Sequence, residues 1–170
     1  CGSSIPITLV RVVHAQVHLE LGDPVAAGAL LEMIRQDTRC RRSSGIQWII
    51  NLASADCAYA QNRSAEAEHY CRSAFAHARQ EGIGMIYGLS NRRLGAVCAK
   101  ALEANIEPET VRELIKRWHL KPPASESVSE QWPWPIRILT LGQFSIHCDG
   151  VLLALSAKTP RKPLELLALL

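Results

Sequence analysis

At 170 residues the chain is long enough for one well-buried domain, or for one domain with a smaller companion. Its 48% hydrophobic and 21% charged residues are those of a soluble globular protein, and no apolar run reaches the roughly 18–20 residues that a membrane-spanning helix requires. The net charge of +3 is too small to announce a nucleic-acid surface, and Cys1, Cys40, Cys57, Cys71, Cys98 and Cys148 lack any C-x-x-C spacing, so six free thiols and a reduced, cytoplasmic protein without bound metal are expected.

Residues 8–21 place Val10, Val13, Val17 and Leu21 at helical spacing, which predicts a first helix. Gly22-Asp23-Pro24 breaks the run, and residues 25–35 resume it. Asp23 is suited to cap this second helix, and Pro24 to open it, because its missing N–H would have had no intrahelical partner. The same grammar returns over residues 45–59, where Ile46, Ile49, Ile50, Ala53 and Cys57 form a stripe. Gln61-Asn62-Arg63 then turns the chain, and Ser64 is the expected cap of a helix over 65–79. Ala27 and Ile34 align with Ala67 and Ala74 at an offset of 40, and small residues at such places let paired helices approach closely. A third unit is expected to begin near Gly84, with Ile86, Leu89, Leu94, Val97 and Ala101 on one face. It turns at residues 105–107 into a shorter, more charged helix over 108–118, as the end of a stacked array requires.

Residues 121–130 carry no apolar period, and Trp132-Pro133-Trp134-Pro135 is stiff, so residues 124–135 read as a linker between a helical domain over 1–123 and a second element over 136–170. Period two then takes over at Ile136, Ile138, Thr140 and Ile146, and Cys148-Asp149-Gly150 signals a hairpin turn before a strand over 151–155. A polar loop from Lys158 to Pro163 leads into residues 164–170, an apolar helix pattern left open. With Cys1 at its start and this pattern at its end, the chain reads as a piece of a longer protein.

The G-D-P-x-x-A and N-R-S-A-E-A-E turns resemble tetratricopeptide repeats of the MalT-like type, whose units are longer than the common ones of about 34 residues. The stretch from Ala101-Leu102-Glu103-Ala104-Asn105-Ile106-Glu107 through Val111-Arg112-Glu113-Leu114-Ile115 to Leu120-Lys121-Pro122-Pro123 resembles the close of that array in large bacterial regulators. Trp132-Pro133-Trp134-Pro135, then Leu141-Gly142-Gln143-Phe144, Asp149-Gly150 and Arg161-Lys162-Pro163-Leu164-Glu165-Leu166-Leu167, are similar to the entrance of OmpR-type winged-helix domains of bacterial transcriptional activators. The resemblance implies a mainly α chain: helical hairpin repeats, a short antiparallel β segment and the first helix of an incomplete winged-helix domain. It also implies that the repeats meet a protein or small-molecule effector, or self-associate, and relay the signal to DNA through the completed winged helix. No G-x-x-x-x-G-K-[ST] loop occurs, so any nucleotide switch would lie elsewhere.

Other residues invite sharper readings. His14 and His18 have the i, i+4 spacing of a zinc pair, but Ala15 stands where a metalloprotease has Glu, so a helix-packing seam is the better expectation. Arg39, Arg41 and Arg42, and Arg92 with Arg93, could meet phosphate but read first as solvated interhelical loops. Trp132 and Trp134 are expected to anchor the linker by packing. Lys158, Arg161 and Lys162 are candidates for phosphate contacts, since cations at a helix start are badly placed for its dipole. No catalytic constellation and no cofactor loop emerge, so the chain is not expected to be an enzyme. The rival expectation is a protein-interaction scaffold of helical repeats with a β-rich cap and no DNA role.

Overall fold

The computed structural model describes residues 4–37, 44–82, 88–124, 130–140 and 145–153. The chain forms two compact units, Cys1–Trp132 and Pro133–Leu170. The first holds α1 (Ser4–Glu20), α2 (Pro24–Gln36), α3 (Ser44–Ala60), α4 (Ser64–Glu81), α5 (Asn91–Glu103) and α6 (Pro108–Arg117). The second holds β1 (Ile136–Leu139), β2 (Ser145–Cys148) and β3 (Val151–Leu152). The chain is thus mainly helical with a small antiparallel sheet.

The hairpins repeat one turn chemistry. At the end of α1 the Asp23 N–H donates to the His18 carbonyl at 2.8 Å and the Gly22 N–H to Leu19, with Gly22 at φ 79°. Forty residues on, Arg63 donates to Ala58 at 2.9 Å and Asn62 to Tyr59, with Asn62 at φ 58°. These paired bonds around one left-handed residue satisfy the last carbonyls of a helix while reversing the chain. The end of α5 does the same with Asn105 at φ 52°, but one further left-handed residue, Glu107, precedes α6. Asp23 caps α2 by accepting from the Ala26 N–H at 3.0 Å, with Pro24 as first helical residue. Ser64 does not cap: it is the first residue of α4, and Arg63 occupies the cap place without a capping side-chain bond. In α5 the cap is Ser90, whose hydroxyl accepts from Arg93 N–H, while Gly84 and Ile86 lie outside the described residues.

Packing follows from small residues. α1, α3 and α5 form a row, with α3 touching both others as well as α2 and α4. α2 buries Ala27, Leu31 and Ile34, and α4 buries Ala67, Cys71 and Ala74 at positions 40 residues later. A Cβ on Gly28 would sit 3.1 Å from Gln61 and 3.6 Å from Cys57 Sγ, so α2 approaches α3 closely there. Trp48 and Phe75 are the bulky exceptions that fill the core. Burying such side chains contributes on the order of 2–3 kcal/mol each.

α1 buries a different face from its most apolar stripe. Val12, Ala15 and Leu19, with Thr8 and Gln16, point inward, whereas Val10 is 66% and Val17 48% exposed, with Val13 and Leu21 beside them. The helix stands at the edge of the row, so α2 and α3 cover one side and no described element covers the other. His14 is exposed on that outer side beside half-buried His18, ring centroids 4.8 Å apart and planes tilted by 40°, so the pair is not in a packing seam.

The helical unit runs to Trp132 and so takes in part of the expected linker, whose end from Pro133 belongs to the second unit. Trp132 is 3% exposed within the helical core, and Arg112 of α6 donates to the Gln131 carbonyl at 3.1 Å and to its side-chain oxygen at 3.3 Å. Trp134 stays exposed.

In the second unit the sheet order is β1-β2-β3, all antiparallel, with Ile136 opposite Cys148 and His147 opposite Leu152. Asp149 and Gly150 both take positive φ, 49° and 82°, the pair that a two-residue hairpin of the right twist needs. β3 ends at Leu152, short of residue 155. Ile136, Ile138, Leu139, Val151 and Leu152 are all exposed, so the described strands have no core of their own. Gly142, Phe144 and the expected helix over 164–170 lie outside the described residues.

Candidate functional site

Helices α1, α3 and α5 meet at one polar knot. Asp56 on α3 sits at the position equivalent, 40 residues on, to Gln16 on α1, and both are buried. Arg93, in the first turn of α5, donates from Nε to Asp56 Oδ2 at 2.7 Å and from Nη2 to Oδ1 at 3.0 Å. Gln16 Nε2 donates to the same carboxylate at 3.2 Å, and Arg93 Nη1 reaches the Leu19 carbonyl at 3.4 Å. The side chains are 7% exposed for Asp56 and 16% for Arg93. A fork of two parallel bonds at this burial fixes geometry as well as charge, so the knot sets the register of α1, α3 and α5. Gln16 Oε1 has no hydrogen-bond partner, and neither does the buried Ser54 hydroxyl on α3.

Beside the knot the same first turn of α5 carries Arg92, which pairs with Glu20 at the end of α1, where Ser90 also donates at 3.1 Å. Partial burial raises the Glu20 carboxyl, but the bonds from Arg92 and Ser90 and the charges of Arg92 and Arg93 outweigh it and hold it below its ordinary value. Arg92 and Arg93 are therefore helical residues rather than loop residues.

These residues open onto a cleft of about 760 Å³, walled on one side by Asn91, Arg92, Arg93 and Ala96 and on the other by His119, Lys121, Pro122, Pro123 and Ala124, with Asp56 at its base. The second wall begins at a local turn. α6 ends in the same paired-bond turn as α1, α3 and α5, with His119 at φ 48° and the Leu120 N–H on the Ile115 carbonyl. The chain then crosses α5 at Gly95, where a Cβ would lie 2.3 Å from the Lys121 carbonyl oxygen, so only glycine admits the crossing.

The sequence-predicted residues distribute unevenly around this geometry. Ala27, Ile34, Ala67 and Ala74 are all buried in helix seams and line no cleft wall. Arg39, Cys40, Arg41, Arg42, Lys158, Arg161 and Lys162 lie outside the described residues. Among the described residues no group of three or more metal-ligating side chains assembles around His14 and His18. Cys57, Cys71, Cys98 and Cys148 are free, and Cys1 and Cys40 lie outside the described residues. Burial pushes the Cys57 and Cys98 thiols up and the Cys71 thiol up to about 12, so none of the three is a ready nucleophile at neutral pH. Asp56, Gln16, Gly95 and Lys121 were not singled out by sequence reasoning. The available signal was a polar residue at equivalent positions 16 and 56 within otherwise apolar helix faces.

No described helix is long and apolar enough to cross a membrane. No protein-family model matches the chain, and no curated protein or solved structure matches it.

Proposed function

We propose that the chain belongs to a bacterial transcription regulator in which tetratricopeptide-like hairpins receive a signal and pass it to a winged-helix domain that binds DNA. The support is the order of parts. Hairpins whose turns recur at an interval of 40 residues are followed, across a W-P-W-P segment, by a separate unit that opens with short antiparallel strands and a D-G turn. In this reading the signal is a protein or small-molecule effector, or a second copy of the chain, met at the repeats. Sequence is read by a helix and wing beyond residue 170, and Lys158, Arg161 and Lys162 touch phosphates. The chain itself carries no catalysis and no cofactor.

The test is a gel shift on fragments of the source genome at two salt concentrations, comparing the 170-residue chain with the product of its complete reading frame. The complete product is expected to bind a small set of fragments in a salt-resistant way. The chain alone is expected to bind weakly and without sequence preference, because phosphate contacts alone collapse with salt. Salt-resistant, sequence-specific binding by the chain alone would overturn the division of roles, and absence of specific binding by the complete product would leave the scaffold reading.

A further inference from the structure

On the effector reading above, we infer that the cleft between the first turn of α5 and residues 119–124 is a binding site for a small organic anion, one that carries a phosphate or carboxylate beside an apolar group. Among the described residues its lining holds three cations, Arg92, Arg93 and Lys121, against one carboxylate, that of Asp56. That carboxylate is already occupied by the fork of Arg93 and by Gln16, which leaves Arg92 and Lys121 to face a ligand. Lys121 has no ion pair among the described residues. Arg92 pairs with Glu20 across the surface, its side chain 75% exposed, and such a pair contributes little and is readily exchanged for a better-placed anion. The cleft also receives the positive end of the α5 dipole, an addition to the side-chain charges and not a site by itself.

The remaining lining sets the other half of the ligand. Ala96, Pro122, Pro123 and Ala124 offer apolar surface with few donors or acceptors, so a bare inorganic ion would leave most of the cleft unfilled. The volume of about 760 Å³ is that of a small-molecule pocket. A nucleic-acid backbone, which needs an open, extended surface of cations, does not fit a cleft that offers two available cations on facing walls. The wall bearing Lys121 is the start of the connection toward the second unit, and it is held against α5 at Gly95. An anion bound by both Arg92 and Lys121 would bridge the first turn of α5 and residues 119–124, adding to the hold at Gly95.

Isothermal titration of the 170-residue chain with phenyl phosphate, with phenol and inorganic phosphate as comparison ligands, tests the assignment. Saturable binding of phenyl phosphate is expected, with Arg92→Ala and Lys121→Ala each weakening it about tenfold, the scale of one lost hydrogen bond to a charged group. Arg72→Ala on α4, whose partner is Glu68, should leave binding unchanged. Circular dichroism of each variant confirms that the exposed substitutions leave the fold intact. Absence of saturable binding, or unchanged affinity in both Arg92→Ala and Lys121→Ala, would overturn the site. Equal affinity for phenol would overturn the anion, and equal affinity for inorganic phosphate would overturn the organic half. The titration contains no DNA, so failure of the regulator reading in gel shifts and failure of this site are separate results.

Discussion

Replacing Asp56 by alanine should be among the most damaging single substitutions on the cleft side of the molecule. It removes the acceptor of two bonds from Arg93, at 2.7 and 3.0 Å, and of one from Gln16, at 3.2 Å. Arg93 then keeps only a 3.4 Å contact with the Leu19 carbonyl, while Gln16, whose Oε1 is already unpartnered, loses its one bond in the knot. Removing one partner of a buried pair costs about 3–5 kcal/mol, chiefly because a charge is left without compensation. Arg93 is 16% exposed, so water partly restores its solvation and the lower end, about 3 kcal/mol, applies. At roughly 4 °C per kcal/mol for a unit of this size, the melting temperature should fall by about 12 °C. The double variant Asp56→Leu with Arg93→Met removes both charges and fills the space, and should recover part of the loss, falling short of the parent by the cost of leaving the Gln16 amide without its acceptor. Urea unfolding of the parent, Asp56→Leu, Arg93→Met and the double variant, followed by far-ultraviolet circular dichroism, completes the cycle, with Asp56→Ala measured beside it. A loss under about 1 kcal/mol for Asp56→Ala, or a double variant as unstable as the sum of the two single losses, would refute the account of the knot.

Four further outcomes follow from the packing. Gly95→Ala should destabilise the helical unit by about 1–3 kcal/mol in urea unfolding, because its Cβ would lie 2.3 Å from the Lys121 carbonyl oxygen and the crossing segment must shift; no loss would mean that the crossing is not close. Ala67→Leu should cost about 1–3 kcal/mol by overpacking a fully buried seam, whereas Val17→Lys should fall within about 0.5 kcal/mol, and the reverse ranking would show that α1 turns its other face inward. In the native protein at about pH 8, a maleimide should label exposed Cys148 and spare Cys71 and Cys98. The folded chain holds the Cys71 proton to about 12 while the unfolded chain releases it near the ordinary 9.0, so the unfolded state binds fewer protons in that interval and the urea midpoint should fall as pH rises above 9.0. A midpoint that rises there would contradict the burial of Cys71.

The features legible in the sequence are those settled within a few residues. Asp23 before Pro24 made the cap and start of α2 readable, because a side-chain oxygen and a missing N–H act on the first turn alone. Asp149-Gly150 made the hairpin readable, because both residues accept positive φ. The recurrence of small residues at Ala27 and Ala67 was visible because each hairpin repeats one local pattern. Tertiary structure alone decided the rest. Gln16, Asp56 and Arg93 are each unremarkable in their own stretch, and become one knot only when three helices stand in a row. Gly95 and Lys121 meet through a chain crossing that neither neighbourhood encodes. The outward stripe of α1 shows the limit most plainly: periodicity finds a helix and its apolar positions, but at the edge of a row both sides of a helix can be apolar, and only its neighbours determine which side is buried.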